Sequence, residues 1–96
     1  MAAYWIAHVT VTDPDRYKGY QALAPAAFAR FGARFLARGG TAETLEGPVH
    51  PRHVVIEFPN RETAEAWYAS AAYQAIVKHR TDNATGSLVL VDGYAP

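Results

Sequence analysis

Four polar residues on predicted strands have the side-chain types needed to move a proton and to bind an anion. His8 lies in "YWIAHVTVTD", Arg34 and Arg38 lie in "ARFLARGG", and Glu57 lies in "HVVIEFP". His8 or Glu57 would carry the proton, and an arginine would hold an anionic or enolate-like group of a substrate. The alternative is a structural role, in which Arg34 and Glu57 form an ion pair and His8 is a hydrogen-bonded strand residue.

Strand pairing decides whether these four residues meet. The second and third strands should pair antiparallel through the connection at residues 41–52, and a register with Arg38 opposite His53 places Arg34 opposite Glu57. Successive strand residues point to opposite faces of a sheet, so His8 shares the face of Glu57 if the first strand lies beside the third. In that arrangement the four candidates cluster on one face.

A second group of candidates, Tyr68, Tyr73 and Arg80, lies in "AWYASAAYQAIVKHR". If this stretch is one continuous helix, Tyr73 faces solvent, which is unfavourable for a large aromatic side chain. If Ser70 caps a new helix, Tyr73 becomes buried and Arg80, seven residues later, extends the same face. We therefore predict a break at Ser70, after which Tyr68, Tyr73 and Arg80 either line a substrate-binding cleft or only complete the core. The alternative for Arg80 is a favourable interaction with the dipole at a helix C-terminus.

No motif predicts a metal or an organic cofactor. His50 and His53 have HxxH spacing but lack a third ligand, and the intervening Arg52 opposes cation binding. The chain has no cysteine, which excludes thiolate catalysis, disulfides and cysteine-based metal sites. Gly39-Gly40 lacks the GxGxxG spacing of a dinucleotide site. We therefore expect neither a metal nor a cofactor.

Length and charge narrow the class of protein further. The 96 residues predict a single domain, residues 1–96. Nine Lys+Arg balance nine Asp+Glu, and the pI is near 6.9, so neither the basic stripe of a nucleic-acid-binding protein nor an electrostatic membrane anchor is present. The N-terminus lacks a signal-peptide pattern, and no apolar run reaches about 18 residues. These features favour a cytoplasmic protein that binds neither nucleic acid nor membranes.

The hydrophobic pattern predicts the element order β-α-β-β-α-β. Asp13 is the predicted N-cap of the first helix, Pro25 should kink or restart that helix, and Asn60 should cap the next helical region. This order is typical of a ferredoxin-like α+β fold, a four-stranded antiparallel sheet with two helices on one face. The predicted strands are 4–13, 33–40, 53–59 and 86–94, and the helices are 14–31, 61–69 and 71–82.

The helices leave the other face of this sheet uncovered. In the first strand, the odd positions of the range 5–11 are all apolar, whereas the even positions Tyr4, Ile6, His8 and Thr10 are mixed. The mixed face is too apolar for full exposure, and large bare patches on small proteins usually mark interfaces. We therefore expect a two-fold homodimer.

Five segments together resemble the domain-of-unknown-function family 1330 over nearly the whole chain. They are "VTVTDPDRY", "GARFLARGG", "LEGPVHPRHVVIEFPN", "AWYASAAYQ" and "SLVLVDGY". That family resembles the dimeric α+β barrel superfamily, in which two ferredoxin-like sheets pair face to face. The superfamily includes cofactor-free monooxygenases, muconolactone-type isomerases and haem-dependent enzymes, so the fold alone assigns no function.

Three functions are compatible with these features. The first is a cofactor-independent enzyme that acts on a small anionic or aromatic metabolite, and a protonatable His8 or Glu57 beside the substrate favours it. The second is a non-catalytic homodimer that binds a small molecule in the same cavity. The third is a structural homodimer module whose barrel is filled by its own side chains.

Overall fold

The computed structural model describes residues 1–94, which form a four-stranded antiparallel sheet and four helices. The sheet order is β2-β3-β1-β4, which confirms the predicted ferredoxin-like fold. The elements are β1 (Ala3–Val11), α1 (Pro14–Ala29), β2 (Arg34–Arg38), β3 (Arg52–Phe58), α2 (Arg61–Ala69), α3 (Ala71–Gln74), α4 (Val77–Thr81) and β4 (Ala84–Asp92). No helix within residues 1–94 combines the length and hydropathy needed to cross a membrane.

The helices pack on one face of the sheet, as the alternation in β1 predicts. Residues that alternate in step with Trp5 in β1 and Ile56 in β3 are buried, except Val11 and Arg52 at the strand ends, which are half-buried. Residues that alternate in step with Ile6 and Val55 are half-buried. We call the first the helix face and the second the open face. Trp67 of α2 is fully buried against the helix face, 4.9 Å from Trp5 between ring centres, and its indole N–H donates to a carbonyl of α1 over 3.0 Å.

Helix α1 runs without interruption through Pro25, so the predicted restart there is wrong. Proline removes one hydrogen bond, the one to the carbonyl of Gln21 four residues earlier. That carbonyl instead lies 3.5 Å from Nη2 of Arg38, and residues on both sides of Pro25 are buried in the core, which supports the helix. The predicted N-cap is confirmed, because Asp13 Oδ1 accepts from the Arg16 N–H over 3.2 Å.

The predicted break at Ser70 is confirmed. Ser70 has an extended backbone with ψ 149°, its Oγ accepts from the Tyr73 N–H over 3.2 Å, and its hydroxyl donates to the Trp67 carbonyl over 2.6 Å. Tyr73 is thereby turned inward and is fully buried. The single helix predicted after Ser70 is wrong, because α3 ends at Gln74 and a separate short helix, α4, follows.

An irregularity in β2 changes the predicted strand register. Arg34 faces Glu57 as predicted, but the pairing shifts at Leu36, where β2 carries one extra residue. Arg38 therefore faces Val54, one residue beyond its predicted partner. A shift of one residue moves a side chain to the other face of a sheet, so Arg38 joins the helix face instead of the open face.

Replacing Ser70 with alanine should destabilise the fold, because the substitution removes both side-chain hydrogen bonds at the helix break. We expect Ser70→Ala to lower the free energy of unfolding by about 1–2 kcal/mol, measured by urea denaturation. Ser70→Asn, which keeps a capping acceptor, should lose less, and Ser87→Ala on exposed β4 serves as the matched control. Equal stability of Ser70→Ala and the parent chain would contradict this role.

Candidate functional site

A small cavity lies between the helix face of the sheet and helix α1. Its volume is about 30 Å³, which is room for one or two water molecules. Most of its wall is apolar or aromatic, and three arginines border it. We call it the helix–sheet cavity. The lining residues used below are Trp5, Tyr20, Phe28, Phe35, Arg38, Arg52 and Arg80.

Two tyrosines and one arginine form a connected polar group at this cavity. The hydroxyls of Tyr20 and Tyr73 are 3.2 Å apart, and Nε of Arg80 donates to the Tyr73 hydroxyl over 3.3 Å. The Arg80 guanidinium also lies 6.0 Å from the centre of the Tyr20 ring. The break at Ser70 and the interruption between α3 and α4 bring Tyr73 and Arg80 together, seven residues apart in the sequence.

Burial sets the ionisation of two members of this group. Burial raises the pKa of Tyr20 well above its ordinary value, and the neighbouring Tyr73 raises it further. Burial acts to lower the pKa of Arg80, but the adjacent Tyr73 and Tyr20 outweigh it, and the pKa is raised overall. At neutral pH, Tyr20 is therefore a neutral phenol and Arg80 is a cation.

The three arginines at the cavity have no acidic partner among residues 1–94. The ion pairs of that range belong to other basic residues, namely Arg16, Lys18, Arg34 and Arg61. Nε of Arg52 is buried and has no hydrogen-bond partner in the described part of the chain, and the Arg38 guanidinium lies 4.8 Å from the centre of the Phe35 ring. Positive charge left uncompensated beside an apolar cavity is typical of a binding site for an anion.

On the open face, the predicted cluster is split into two groups. His8 faces His53 across the β1–β3 pair, whereas Glu57 faces Tyr4. Tyr4 lies four residues before His8 on β1. The positions of His8 and Glu57 are therefore about 13 Å apart along the strands. Glu57 pairs with Arg34 over 2.7 Å, which matches the structural alternative for that pair. The prediction that all four residues meet is wrong, because of this spacing and because Arg38 lies on the helix face.

The histidines of the open face line a second, wider cleft. Nδ1 of His8 and Nδ1 of His53 are 2.7 Å apart, and Nδ1 of His50 is 2.9 Å from the Thr10 hydroxyl. The cleft has a volume of about 740 Å³ and extends from these rings to the loop at residues 42–48. The two Nδ1 atoms are too close to ligate one metal ion between them at about 2.0–2.1 Å each in a tetrahedral site. Instead, the N–H of one imidazole donates a hydrogen bond to the Nδ1 atom of the other.

No group of three or more histidine, aspartate or glutamate side chains within residues 1–94 is placed to hold a metal ion. The titratable side chains of the open face include the imidazoles of His8 and His53 and the carboxylate of Glu57.

Of the five predicted binding residues, Tyr73 and Arg80 are in direct contact, and Arg38 and Arg80 both border the helix–sheet cavity. Arg34 lies on the open face instead. Tyr68 is 44% exposed and borders a separate groove between α2 and β4, which Arg80 also reaches.

Sequence reasoning missed two residues of the cavity, Tyr20 and Arg52. Arg52 has the strand parity of Val54 and Ile56, which places it on the helix face. This alternation could have been used to predict that Arg52 lies on the same face as the core. Tyr20 belongs to the apolar stripe of α1, and its pairing with Tyr73 depends on tertiary structure.

The family described as domain of unknown function (DUF1330) matches residues 2–94. No curated protein matches the chain. Among solved structures, a Rhodopseudomonas palustris protein of unknown function, RPA0582, is 17% identical with a TM-score of 0.78, covering 99% of this chain and 84% of its own. The cofactor-independent oxygenase SnoaB from Streptomyces nogalater is 14% identical with a TM-score of 0.65, covering 99% and 95%. A dimeric ferredoxin-like protein of unknown function from Jannaschia sp. CCS1 is 13% identical with a TM-score of 0.60, covering 93% and 98%.

The raised pKa of Tyr20 predicts a loss of stability at alkaline pH. The unfolded chain releases this proton near pH 10.0, the ordinary tyrosine value, whereas the folded chain retains it. The contribution of Tyr20 is therefore complete below that pH and is lost as the pH rises above it. Between roughly pH 9 and pH 11, the free energy of unfolding should fall less steeply for Tyr20→Phe than for the parent chain.

Urea denaturation at several alkaline pH values measures this difference. Tyr68→Phe, at an exposed tyrosine, is the matched control and should keep the parent slope. Equal slopes for Tyr20→Phe and the parent chain would show that the folded state does not hold the Tyr20 proton more tightly.

Proposed function

Since the chain belongs to the DUF1330 family, whose description names no activity, we propose its function from the site: a small-molecule enzyme that works without a bound organic cofactor. Its substrate is a small aromatic or anionic metabolite that enters the helix–sheet cavity. The protein residues would stabilise negative charge that develops on the substrate when a proton is removed.

The contact between Arg80 and Tyr73 carries this proposal. Arg80 is half-buried, has no carboxylate partner within residues 1–94, and donates to the Tyr73 hydroxyl over 3.3 Å. A guanidinium held in place beside a phenol stabilises an enolate or phenolate more strongly than water does, because the surroundings are apolar and the dipoles are already oriented. The aromatic walls around it, including Trp5 and Phe28, suit a flat ring.

Similarity to SnoaB supports the absence of a cofactor requirement. SnoaB is described as a cofactor-independent oxygenase, and the two chains share a fold at 14% identity. A carbanion or enolate formed in such a site is electron-rich enough to pass electrons to dioxygen, which would be both the oxidant and the second substrate, without a metal or flavin. This similarity supports the reaction class and says nothing about the identity of the substrate.

The closed cavity is smaller than an aromatic metabolite. At about 30 Å³ it holds a group no larger than one or two waters, so a ring can enter only when a side chain at its border swings outward. Arg38 is exposed and lies at this border, and its rotation would widen the entrance. We therefore expect ligand binding to require movement of the arginines, with little change in the backbone.

A non-catalytic ligand-binding protein is the second candidate function. The observation that favours it is the lack of aspartate, glutamate and histidine among the residues lining the helix–sheet cavity. Any base at this cavity would have to be a tyrosine or part of the ligand. His8 and Glu57 stay predictions as proton carriers, and they would act on the open face, with His8 working through His53.

We also propose that two copies of the chain pair through their open faces into an α+β barrel. A row of apolar residues crosses the middle of that face, formed by Val89, Ile6, Val55 and Ala37. Val89 is 50% exposed, and a bare apolar row of this kind on a small domain is unfavourable in water. One structural neighbour is described as dimeric, which supports this assembly. If the barrel were filled by its own side chains, the chain would be the structural module considered above.

Loss of Arg80 should abolish the proposed activity. The assay follows oxygen uptake and C–H deuterium exchange for a panel of small, single-ring enolisable aromatic ketones and phenols, without added metal or flavin. Arg80→Met should lower kcat/KM by roughly 10²- to 10³-fold, and Arg80→Lys should retain part of the activity. Arg16→Met is the matched control, because Arg16 is exposed and pairs with Asp13. If the parent chain binds a member of the panel but converts none, the second candidate replaces the first.

A charge placed on the open face should dissociate the proposed dimer. Val89→Glu buries an unpaired carboxylate in the interface, which costs several kcal/mol. We expect the molar mass measured by light scattering to change from two chains to one. Leu23→Glu is the matched control, because Leu23 of α1 is 49% exposed and lies away from the open face. A parent chain with the mass of one copy would overturn the dimer.

A further inference from the structure

We infer that Arg38 and Arg52 form a carboxylate-binding subsite at the border of the helix–sheet cavity, and that the ligand is a small aromatic acid. This inference rests on the proposed function, since it names the class of molecule that enters the same cavity. It is carried by the two arginines at the β2–β3 end of the cavity, and not by the Arg80–Tyr73 contact.

Two sequence features place Arg38 at this border. The extra residue at Leu36 moves Arg38 from the open face to the helix face. Pro25 lacks the N–H that would bond the Gln21 carbonyl, and Nη2 of Arg38 lies 3.5 Å from that carbonyl. This contact is long, so it orients the guanidinium weakly and leaves its remaining N–H groups available. Arg38 also lies over the Phe35 ring at 4.8 Å, which holds the side chain against the cavity wall.

Arg52 is placed by strand parity and by a glycine. It begins β3 with the parity of the buried Val54, so its side chain extends over the helix face. Gly39 has φ 65°, a conformation that favours glycine, and a side chain there would collide with the Arg52 guanidinium. The Nε of Arg52 is buried without a hydrogen-bond partner in the described chain. A buried donor left unpaired costs free energy, and an anion at the cavity border would satisfy it.

The charges around the subsite favour an anion. Arg38 and Arg52 border one cavity together with Arg80, and no carboxylate of residues 1–94 pairs with any of them. Like charges brought together in partly apolar surroundings repel each other. A carboxylate relieves this repulsion and matches the planar fork of a guanidinium, which donates two parallel hydrogen bonds.

The walls favour an aromatic acid over inorganic phosphate. Beside the arginines, the cavity presents the rings of Phe28, Phe35 and Tyr20, which suit a flat apolar body. The volume of about 30 Å³ admits one small polar group, so the ring of the ligand would enter only after the movement of a border side chain proposed above. The smallest ligand that uses both features has one carboxylate attached directly to a ring.

Benzoate is the probe for this subsite, with benzamide as its neutral isostere and inorganic phosphate as the anion without a ring. Calorimetry on the folded parent chain gives Kd for each compound. Nitrogen-15 NMR follows the Nε–H signal of Arg52, which should shift on addition of benzoate. We expect benzoate to bind more tightly than benzamide by about tenfold or more, because its hydrogen bonds to the arginines are charge-assisted. We expect it to bind more tightly than phosphate by a similar factor, because only benzoate buries an apolar ring.

Three variants and one control locate the binding. Arg52→Met and Arg38→Met should each weaken benzoate binding by roughly 10- to 100-fold, and Arg52→Lys should fall between Arg52→Met and the parent chain, because lysine keeps the charge without the fork. Arg34→Met is the matched control, since Arg34 lies on the open face and pairs with Glu57. Circular dichroism confirms that each variant is folded.

The outcomes separate the subsite from the proposed enzyme function. Benzoate binding that weakens in Arg52→Met and Arg38→Met, but not in Arg34→Met, supports the subsite even if no compound is turned over. Absent binding to the folded parent chain, or equal binding by all variants, overturns the subsite. Equal affinity for phosphate overturns the assignment to aromatic acids. Turnover of a neutral aromatic ketone that depends on Arg80, together with absent benzoate binding to the folded parent chain, would overturn the subsite while leaving the enzyme function in place.

Discussion

Alternation of side chains across one sheet is the constraint on which the rest of this structure depends. Each strand residue must point either towards the helices or towards the open face, and the two faces have different chemistry. The helix face carries the aromatic core and, at one end, arginines without acidic partners. The open face carries an apolar row between a histidine pair and the Arg34–Glu57 ion pair. A residue can therefore contribute to only one of the two candidate sites, and strand register decides which.

Much of the fold was predictable because local signals agreed with one another. Three of these signals depend only on residues close together in the sequence. They are the alternation of buried side chains in β1, the helix caps at Asp13 and Asn60, and the need to bury Tyr73. The break at Ser70 was predictable for the same reason, because the phase of a helix and the preference of serine for an N-cap point to one solution. The Arg34–Glu57 pairing also followed from the register near the start of β2.

The features that could not be predicted depend on contacts between residues far apart in the sequence. One extra residue at Leu36 reverses the face of Arg38, and nothing in "ARFLARGG" marks a bulge. Pro25 was expected to kink or restart the first helix. The helix does not restart there, because the cost of one lost hydrogen bond is offset by burial of neighbouring residues. His8 and Glu57 share a face, yet their separation along the strands depends on how β1 aligns with β3, which is a long-range property.

Two departures from regular secondary structure, the bulge at Leu36 and the proline at position 25, both affect the side chain of Arg38. The bulge turns Arg38 towards α1, and the proline leaves a carbonyl of α1 available to it. Neither feature helps stability by itself, since a bulge interrupts strand pairing and a proline removes a helix bond. Together they place Arg38 on the wall of a cavity that Arg52 and Arg80 also border, and no carboxylate within residues 1–94 pairs with any of the three. The proposed binding of a negatively charged ligand would offset the cost of leaving these guanidinium groups without an acidic partner.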